Sequence, residues 1–343
     1  MVSLAGPQPE YMRAVGLGGV VTYRDLLRLA NGYADSKVLL LANELDLFTA
    51  IGRSERRAEL LAKRCGTLVE GMTLLLQALA GLGLLRQRGS YYRNTPLGLK
   101  FLDGHSPTAL TNLLWLLNHH RSDWTDMVTS IRRGRRGWAP VTATATFRRR
   151  FALAMHERSH MLAPRTIGTF RLPPRARRFL DLGGGAGSYS LALAQRYPYL
   201  SGMVIDQSVT VARRLIRRNR LTDRIHVIRG NVFTAPLPSQ IDAAIASNLF
   251  HDFDETENRR LLRRLHQALR PGGKLFIVEF FLNDAKTQPA DAAVFSLLMY
   301  AFTATGRCYA WKEIERWLHE EGFGRLRRRP IMGSIGTLDA VRL

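Results

Sequence analysis

Lysine is scarce in this sequence: only 6 of its 50 basic residues are Lys, the rest being Arg. Cysteine is scarcer still, with Cys65 and Cys308 far apart. That excludes a disulfide framework and a cysteine-based metal site, and it fits a reducing, cytoplasmic compartment. Long apolar runs are missing too. The leucine-rich stretches near Leu39–Leu41 and Leu113–Leu117 fall well short of the ~18 apolar residues a membrane span needs. The opening MVSLAGPQPEYMRAVG has no basic region followed by an apolar run, so no signal peptide is expected. Internal repeats and low-complexity segments are absent.

The 343 residues are 46% hydrophobic and 23% charged, a globular balance with material for two domains. A disordered or collagen-like chain is excluded. The formal net charge is +22. It is spread evenly: residues 1–150 carry 21 basic and 11 acidic side chains, a net of +10, and residues 151–343 carry 29 and 17, a net of +12. An even arginine bias of this kind marks no separate anion-binding module, so no specific nucleic-acid partner is expected.

Apolar residues recur at helical spacing over 22–51: Leu26, Leu29, Tyr33, Val38, Leu41, Leu45 and Phe48. Two short helices follow at 57–64 and 68–82, then two short strands around Gly89. That order is a winged helix. Its second helix, LVEGMTLLLQALAGLGLL, has no Arg or Lys and cannot read a DNA groove, so it points to packing or dimerisation. More helix is expected over 106–127, then a loop, IRRGRRGWAP. A long helix follows, interrupted at Pro164. Pro173-Pro174 reads as a linker, which puts the domain boundary near residue 172.

From there strands and helices alternate, arguing a parallel sheet with crossover helices. The expected strands are 178–182, 202–206, 225–229, 241–247 and 274–280. Helices are expected over Tyr189–Tyr197 and Val209–Asn219. RRRPIMG and TLDAVRL are the last two strands, joined by a Gly-Ser-Ile-Gly turn as an antiparallel edge.

The strongest chemical signal is Asp181-Leu-Gly183-Gly184-Gly185-Ala-Gly187, between the first of these strands and its helix. Glycines allow close backbone approach to a ligand at the carboxyl end of the sheet. Asp206 ends the second strand, where an acid accepts both hydroxyls of a ribose. The ligand is therefore an adenosine derivative. A dinucleotide fingerprint would need glycine at position 188, which is Ser188. Asp181 would also repel a diphosphate, whereas it suits a cationic amino-acid group. Both features favour S-adenosylmethionine.

With this loop, DRIHVIRGNVF, SNLFHDFDETENRRLL, LRPGGKLFIVEFF and GRCYAWKEIERWLHEEGF in order, nearly the whole chain resembles a known family. It is that of the S-adenosylmethionine-dependent O-methyltransferases of the plant caffeate and bacterial secondary-metabolite type. The resemblance implies an α/β, Rossmann-like class I methyltransferase domain at 173–343, its sheet parallel with an antiparallel last strand. Before it, an α-helical winged-helix domain at 1–172 would dimerise and cap the substrate. It also implies a homodimer, a small hydroxylated acceptor, S-adenosylmethionine as cofactor, and no metal.

By the same resemblance, Asp181, Gly183 and Gly185 lie by the methionine part of the cofactor, and Asp206 takes the ribose. Gln207, Asn231, Val232 and Phe233 surround the adenine, with Asn231 replacing an Asp. Ser247 stands where plant members carry a Lys. His251 is the candidate base, since methyl transfer to oxygen needs a phenolate-like nucleophile and an imidazole titrates near neutrality. Glu279, taken to end the fifth strand, would orient it as a triad carboxylate does. A second family Glu is missing, its stretch being Gly306-Arg307-Cys308-Tyr309. Met155 and His156 match a segment that reaches substrate and cofactor. Phe295 and Met299 are further acceptor contacts, and Trp115, His119, Trp124 and Tyr300 offer apolar walls. Asp252, Asp254, Glu255 and Glu257 resemble a metal cluster, yet read better as the first turn of a helix. Alternatives are N- or C-methylation, a non-methylating member of the fold, and a macromolecule-directed methyltransferase or DNA-binding regulator.

Overall fold

A strong local signal starts the first described helix. In the computed structural model, which describes residues 22–120, 124–134 and 144–343, Thr22 and Asp25 form a capping box that begins α1 (Tyr23–Glu44). A short α2 (Leu47–Ile51), β1 (Arg56–Arg57), α3 (Ala58–Cys65) and α4 (Val69–Gly81) follow. The expected strand pair is there as β2 (Leu85–Arg88) and β3 (Tyr91–Asn94). β1 adds a third strand in the order β1-β3-β2. After α5 (Pro96–Phe101) comes α6 (Thr111–His119). Phe48, Leu61, Met72, Leu76, Leu79 and Tyr92 make the core of this unit. The Asn94 amide ties it by donating to the carbonyls of Phe48 and Gly52. One face of α4 is buried, but Leu68 and Leu74 beside and along it are exposed, as are Leu26, Leu29 and Tyr33 on α1.

The chain divides between His119 and His120, not near residue 172. The reason is that α7 (Met127–Arg133), α8 (Ala145–Ser159) and α9 (Ala163–Thr169) belong to the sheet-containing unit. Ala163, Ile167 and Phe170 share one core with Phe179, Tyr189 and Val204, and Phe170 stacks on Phe276 at 3.9 Å. The break between α8 and α9 comes at 160–162. Pro164 sits in the first turn of α9, where its missing N–H costs nothing. Of the loop expected at 131–140, residues 131–133 close α7, and 135–140 lie outside the described residues.

β4 (Arg178–Leu182), β5 (Ser201–Asp206), β6 (Ile225–Arg229) and β7 (Ile241–Ser247) fall where the apolar runs predict. So do the crossover helices α10 (Ser188–Arg196) and α11 (Thr210–Arg218). α12 (Glu255–Ala268) leads to β8 (Leu269–Leu282), which is longer at both ends than expected; Glu279 therefore lies inside it. Then come α13 (Ala290–Phe302), β9 (Tyr309–Ala310), α14 (Trp311–Glu320), β10 (Phe323–Met332) and β11 (Ile335–Arg342). The main path of the sheet runs β10-β11-β8-β7-β4-β5-β6, with β9 paired to β8. β4 to β8 are parallel, and β11 is antiparallel to both its neighbours. The last strand is thus antiparallel as expected, but it lies inside the sheet and β10 forms the edge. The hairpin turn is Gly333-Ser334 alone, because Ile335 already pairs with Met332. Order reverses at β4, whose neighbours are β5 and β7, so a crevice opens at the carboxyl ends of β4 and β7. No helix among the described residues is long and apolar enough to cross a membrane.

Candidate active site

The glycine loop leaves β4 into this crevice. Gly183, Gly185 and Gly187 hold φ of +69°, +53° and +74°, which L side chains resist. A Cβ on Gly184 would come 2.6 Å from Asp181 Cγ, so the Asp181 carboxylate lies directly beneath the loop. Beside Gly185 there is open space. Ser190, in the first turn of α10, donates to Asp181 Oδ2 at 2.6 Å; Oδ1 is buried with no protein partner among the described residues. Burial pushes Asp181 up to about 6, Ser190 opposes the rise, and the charge of Asp206 adds to it.

Asp206 closes the loop from the next strand. Its Oδ2 accepts the Gly185 N–H at 2.9 Å and its Oδ1 accepts the Ser208 N–H at 2.8 Å. Burial raises its pKa against these donors. Two carboxylates around one loop repel a diphosphate and favour a ligand that carries positive charge and hydroxyl donors. The unmatched Asp181 Oδ1 fits such a ligand.

Around the crevice the other expected contacts differ. Gln207 and Asn231 are exposed. Asn231 Oδ1 already accepts the Phe233 N–H at 2.8 Å, in an Asx turn that leaves one lone pair. The Val232 side chain is in the core, so only its backbone is available to a ligand; Phe233 meets Phe253 edge-on. Ser247 is buried at the end of β7.

His251 occupies a single 3-10 turn, Phe250–Asp252, just after β7. Glu279, on the neighbouring β8, accepts from His251 Nδ1 at 2.7 Å. Its other oxygen takes the Phe250 N–H at 2.8 Å, and the Phe280 N–H also approaches at 3.2 Å. A carboxylate only accepts, so Nδ1 carries the proton and the Nε2 lone pair is free. Burial lowers the His251 pKa, but the adjacent Glu279 charge and hydrogen bond outweigh it, and the pKa is raised overall. Asn258 on α12 clamps the turn by donating to the carbonyls of Phe250 and Phe253, and Tyr309 donates to Phe253 as well.

The acidic cluster resolves into separate jobs. Asp254 caps α12 in a capping box with Glu257. Glu255 pairs with Arg316, and Glu257 accepts from Thr305. Asp252 precedes that helix rather than opening it. Its Oδ1 stands 3.8 Å from His251 Nε2, and its side chain is nearly half exposed. Burial of the carboxyl group, with the charges of Glu279 and Asp206, pushes it up to about 6, partly offset by His251.

Of the residues expected to border the acceptor, Phe295 lies edge-on to His251 at 5.1 Å, and Met299, one turn along α13, is buried. Met155 is partly buried. His156 Nδ1 and Ser188 Oγ are 2.9 Å apart at the start of α10; burial, with His160, pushes this histidine down to about 4, so it is neutral. Trp115 and His119 stack on each other in the first unit, and Trp124 is exposed. Burial raises the Cys308 thiol, which keeps it protonated and inert.

Two residues of the site went unread in the sequence. Gly306 packs against the His251 turn so closely that an added Cβ would collide with the His251 carbonyl oxygen. Arg158 lies over the Phe280 and Phe295 rings. Both stood in stretches read for other residues.

A family profile described as the O-methyltransferase domain matches residues 119–324, and one described as the O-methyltransferase dimerisation domain matches residues 27–104. A 3-hydroxy-5-methyl-1-naphthoate 3-O-methyltransferase of Streptomyces sahachiroi is 31% identical, over 92% of this chain and 94% of that one. An N,N-dimethyltransferase of Streptomyces rimosus is 30% identical, over 82% and 85%. The solved structure of human N-acetylserotonin methyltransferase in complex with SAM has the same fold, with a TM-score of 0.84 at 24% identity. That match covers 95% of this chain and 99% of that one.

Proposed function

The chain belongs to the O-methyltransferase family, and from that membership we propose that it moves a methyl group from S-adenosylmethionine to a hydroxyl of a small aromatic or polyketide-like acceptor. The observation that carries this reading is the buried His251–Glu279 pair at the rim of the crevice that holds the glycine loop. S-adenosylmethionine supplies a methyl group bound to a cationic sulfur. Gly183 and Gly185 would hold its methionine part over Asp181, and Asp206 its ribose. Gln207, Asn231, the Val232 backbone and Phe233 would border the adenine, with Ser247 nearby. Met155, Phe295 and Met299 would border the acceptor.

A phenol has a pKa of ~10 and is mostly protonated at neutral pH. With Nδ1–H held by Glu279, Nε2 of His251 is left to take the acceptor's proton, and Glu279 stabilises the imidazolium that results. The site otherwise works by alignment. One relative named above acts on a naphthoate hydroxyl, which supports an aromatic acceptor. Another is an N,N-dimethyltransferase, which keeps nitrogen as a second acceptor atom.

The test uses trideuteromethyl-labelled S-adenosylmethionine with a panel of phenols, naphthols and aryl amines. The expected product is a small aromatic ether carrying the label, with or without chelator. Label found only on amines, or only on nucleic acid or protein, overturns the reading.

Asp206→Ala should weaken S-adenosylhomocysteine binding by about 10- to 100-fold, the worth of losing hydrogen bonds to a charged group. Calorimetry checks this, and unchanged affinity would remove Asp206 from the site. The exposed stripe of Leu26, Leu29 and Tyr33 suits a second copy of the chain, giving a homodimer through the first unit. Leu29→Asp should then shift sedimentation from dimer toward monomer, and an unchanged sedimentation coefficient would speak against this face.

A further inference from the structure

Arg158 is the charged group for which this mechanism has no use. Its guanidinium carbon lies 4.7 Å from the centre of the Phe280 ring and 5.4 Å from that of Phe295. The same two rings stand 6.2 Å and 5.1 Å from the His251 ring. The base and the arginine therefore share one aromatic wall.

Both rings lie within cation–π distance of the guanidinium, but an aromatic ring offers no conventional acceptor to its five N–H donors. Among the described residues these donors meet no hydrogen-bond acceptor, and no carboxylate comes within ion-pair distance. Other partly buried arginines of this chain are satisfied. Arg224 donates to three carbonyls, Arg264 to Val232 and Ala235, Arg270 pairs with Asp242, and Arg329 with Asp339. Glu279, whose charge reaches Arg158 only from a distance, is already taken by His251 and two backbone N–H groups. A desolvated guanidinium without a partner is costly unless something arrives to pair with it. Its planar fork matches a carboxylate in two parallel hydrogen bonds.

We propose that Arg158 is a specificity-determining residue that binds a carboxylate of the acceptor, so that the preferred substrates are hydroxylated aromatic acids. This rests on the methyl-transfer reading above and narrows its substrate class. The aromatic wall would hold the acceptor ring, with its hydroxyl toward His251 and its carboxylate toward Arg158.

The test is calorimetric, on full-length protein loaded with S-adenosylhomocysteine. The probes are hydroxynaphthoates of varied hydroxyl–carboxylate spacing, each beside its methyl ester. The best acid should bind wild type about 10- to 100-fold more tightly than its ester. Arg158→Met should abolish that ratio and Arg158→Lys recover part of it. Thermal melting and S-adenosylhomocysteine affinity report whether the variants are folded. An acid-to-ester ratio near one in wild type, or one that Arg158→Met leaves unchanged, overturns the proposal. So does a fall in S-adenosylhomocysteine affinity with the ratio intact, which would assign Arg158 to the methionine carboxylate. These are binding measurements, so they stand apart from the labelled-methyl experiment; failure there with the ratio present would sink the transfer chemistry and not the anion site.

Discussion

Replacing His251 with Ala is expected to lower kcat for a phenolic acceptor by about 10²- to 10⁴-fold at neutral pH, the range for removing a positioned general base. S-adenosylhomocysteine affinity should stay within about twofold of wild type, because the loop and Asp206 contacts do not involve this side chain. The imidazole is held in one tautomer by a carboxylate that two backbone N–H groups fix in turn. No other described side chain at the rim offers an unprotonated nitrogen in that position. His156 is neutral as well, but its Nδ1 faces Ser188 behind the glycine loop. Steady-state kinetics with the labelled donor reads the first effect and calorimetry the second. An alanine variant with wild-type kcat would mean that the acceptor loses its proton to water.

Gly306→Ala is expected to be almost as damaging without touching any group that reacts. The new Cβ would strike the His251 carbonyl oxygen and come 2.6 Å from the Asp252 carbonyl carbon and 2.8 Å from its Cα. These are backbone atoms, and the turn that carries them is clamped by Asn258 and Tyr309. Neither side can give cheaply. Gly306 is itself held by its N–H to Thr303 Oγ1 at 2.9 Å. Overpacking of this kind costs about 1–3 kcal/mol of stability. A displacement of ~1 Å at the base costs about 10²-fold in rate. The two readouts are the melting temperature and kcat, with S-adenosylhomocysteine affinity as control. A variant that melts lower yet turns over normally would show that the turn tolerates the shift.

Much of this was legible beforehand for a simple reason. The strands of a parallel sheet are buried on both faces, so 178–182, 225–229 and 241–247 read as short apolar runs and end where expected. The glycine loop and Asp206 stand at the carboxyl ends of β4 and β5, where the apolar runs stop, and so were legible; the spacing from His251 to Glu279 put the two by neighbouring strands, although Glu279 lies inside β8 and not at its end. Long-range packing was not legible. Phe170 looks like the tail of a helical domain until it is seen stacked on Phe276 in the sheet, and that stacking moved the boundary to His119. β11 looks like an edge strand because sequence adjacency to β10 says nothing of which member of a hairpin meets β8. Gly306 was read for the glutamate missing near it, and Arg158 as one arginine among many. The burden of each appears only when another segment lies against it, the His251 turn for Gly306 and the Phe280 and Phe295 rings for Arg158.

In the proposed mechanism Glu279 raises the pKa of His251 and orients it so that it accepts the acceptor's proton. The most direct measurement is the pH dependence of kcat/KM for wild type and Glu279→Gln, with labelled S-adenosylmethionine saturating. The base works only when unprotonated, so activity must rise with pH through the His251 pKa. Glu279 stabilises the protonated imidazole and holds that pKa above its ordinary 6.5; removing the charge must lower it. The expected result is a wild-type rise centred above 6.5 and, in Glu279→Gln, a rise displaced toward acid with a lower plateau. Coincident profiles, or a displacement toward alkaline pH, would contradict it.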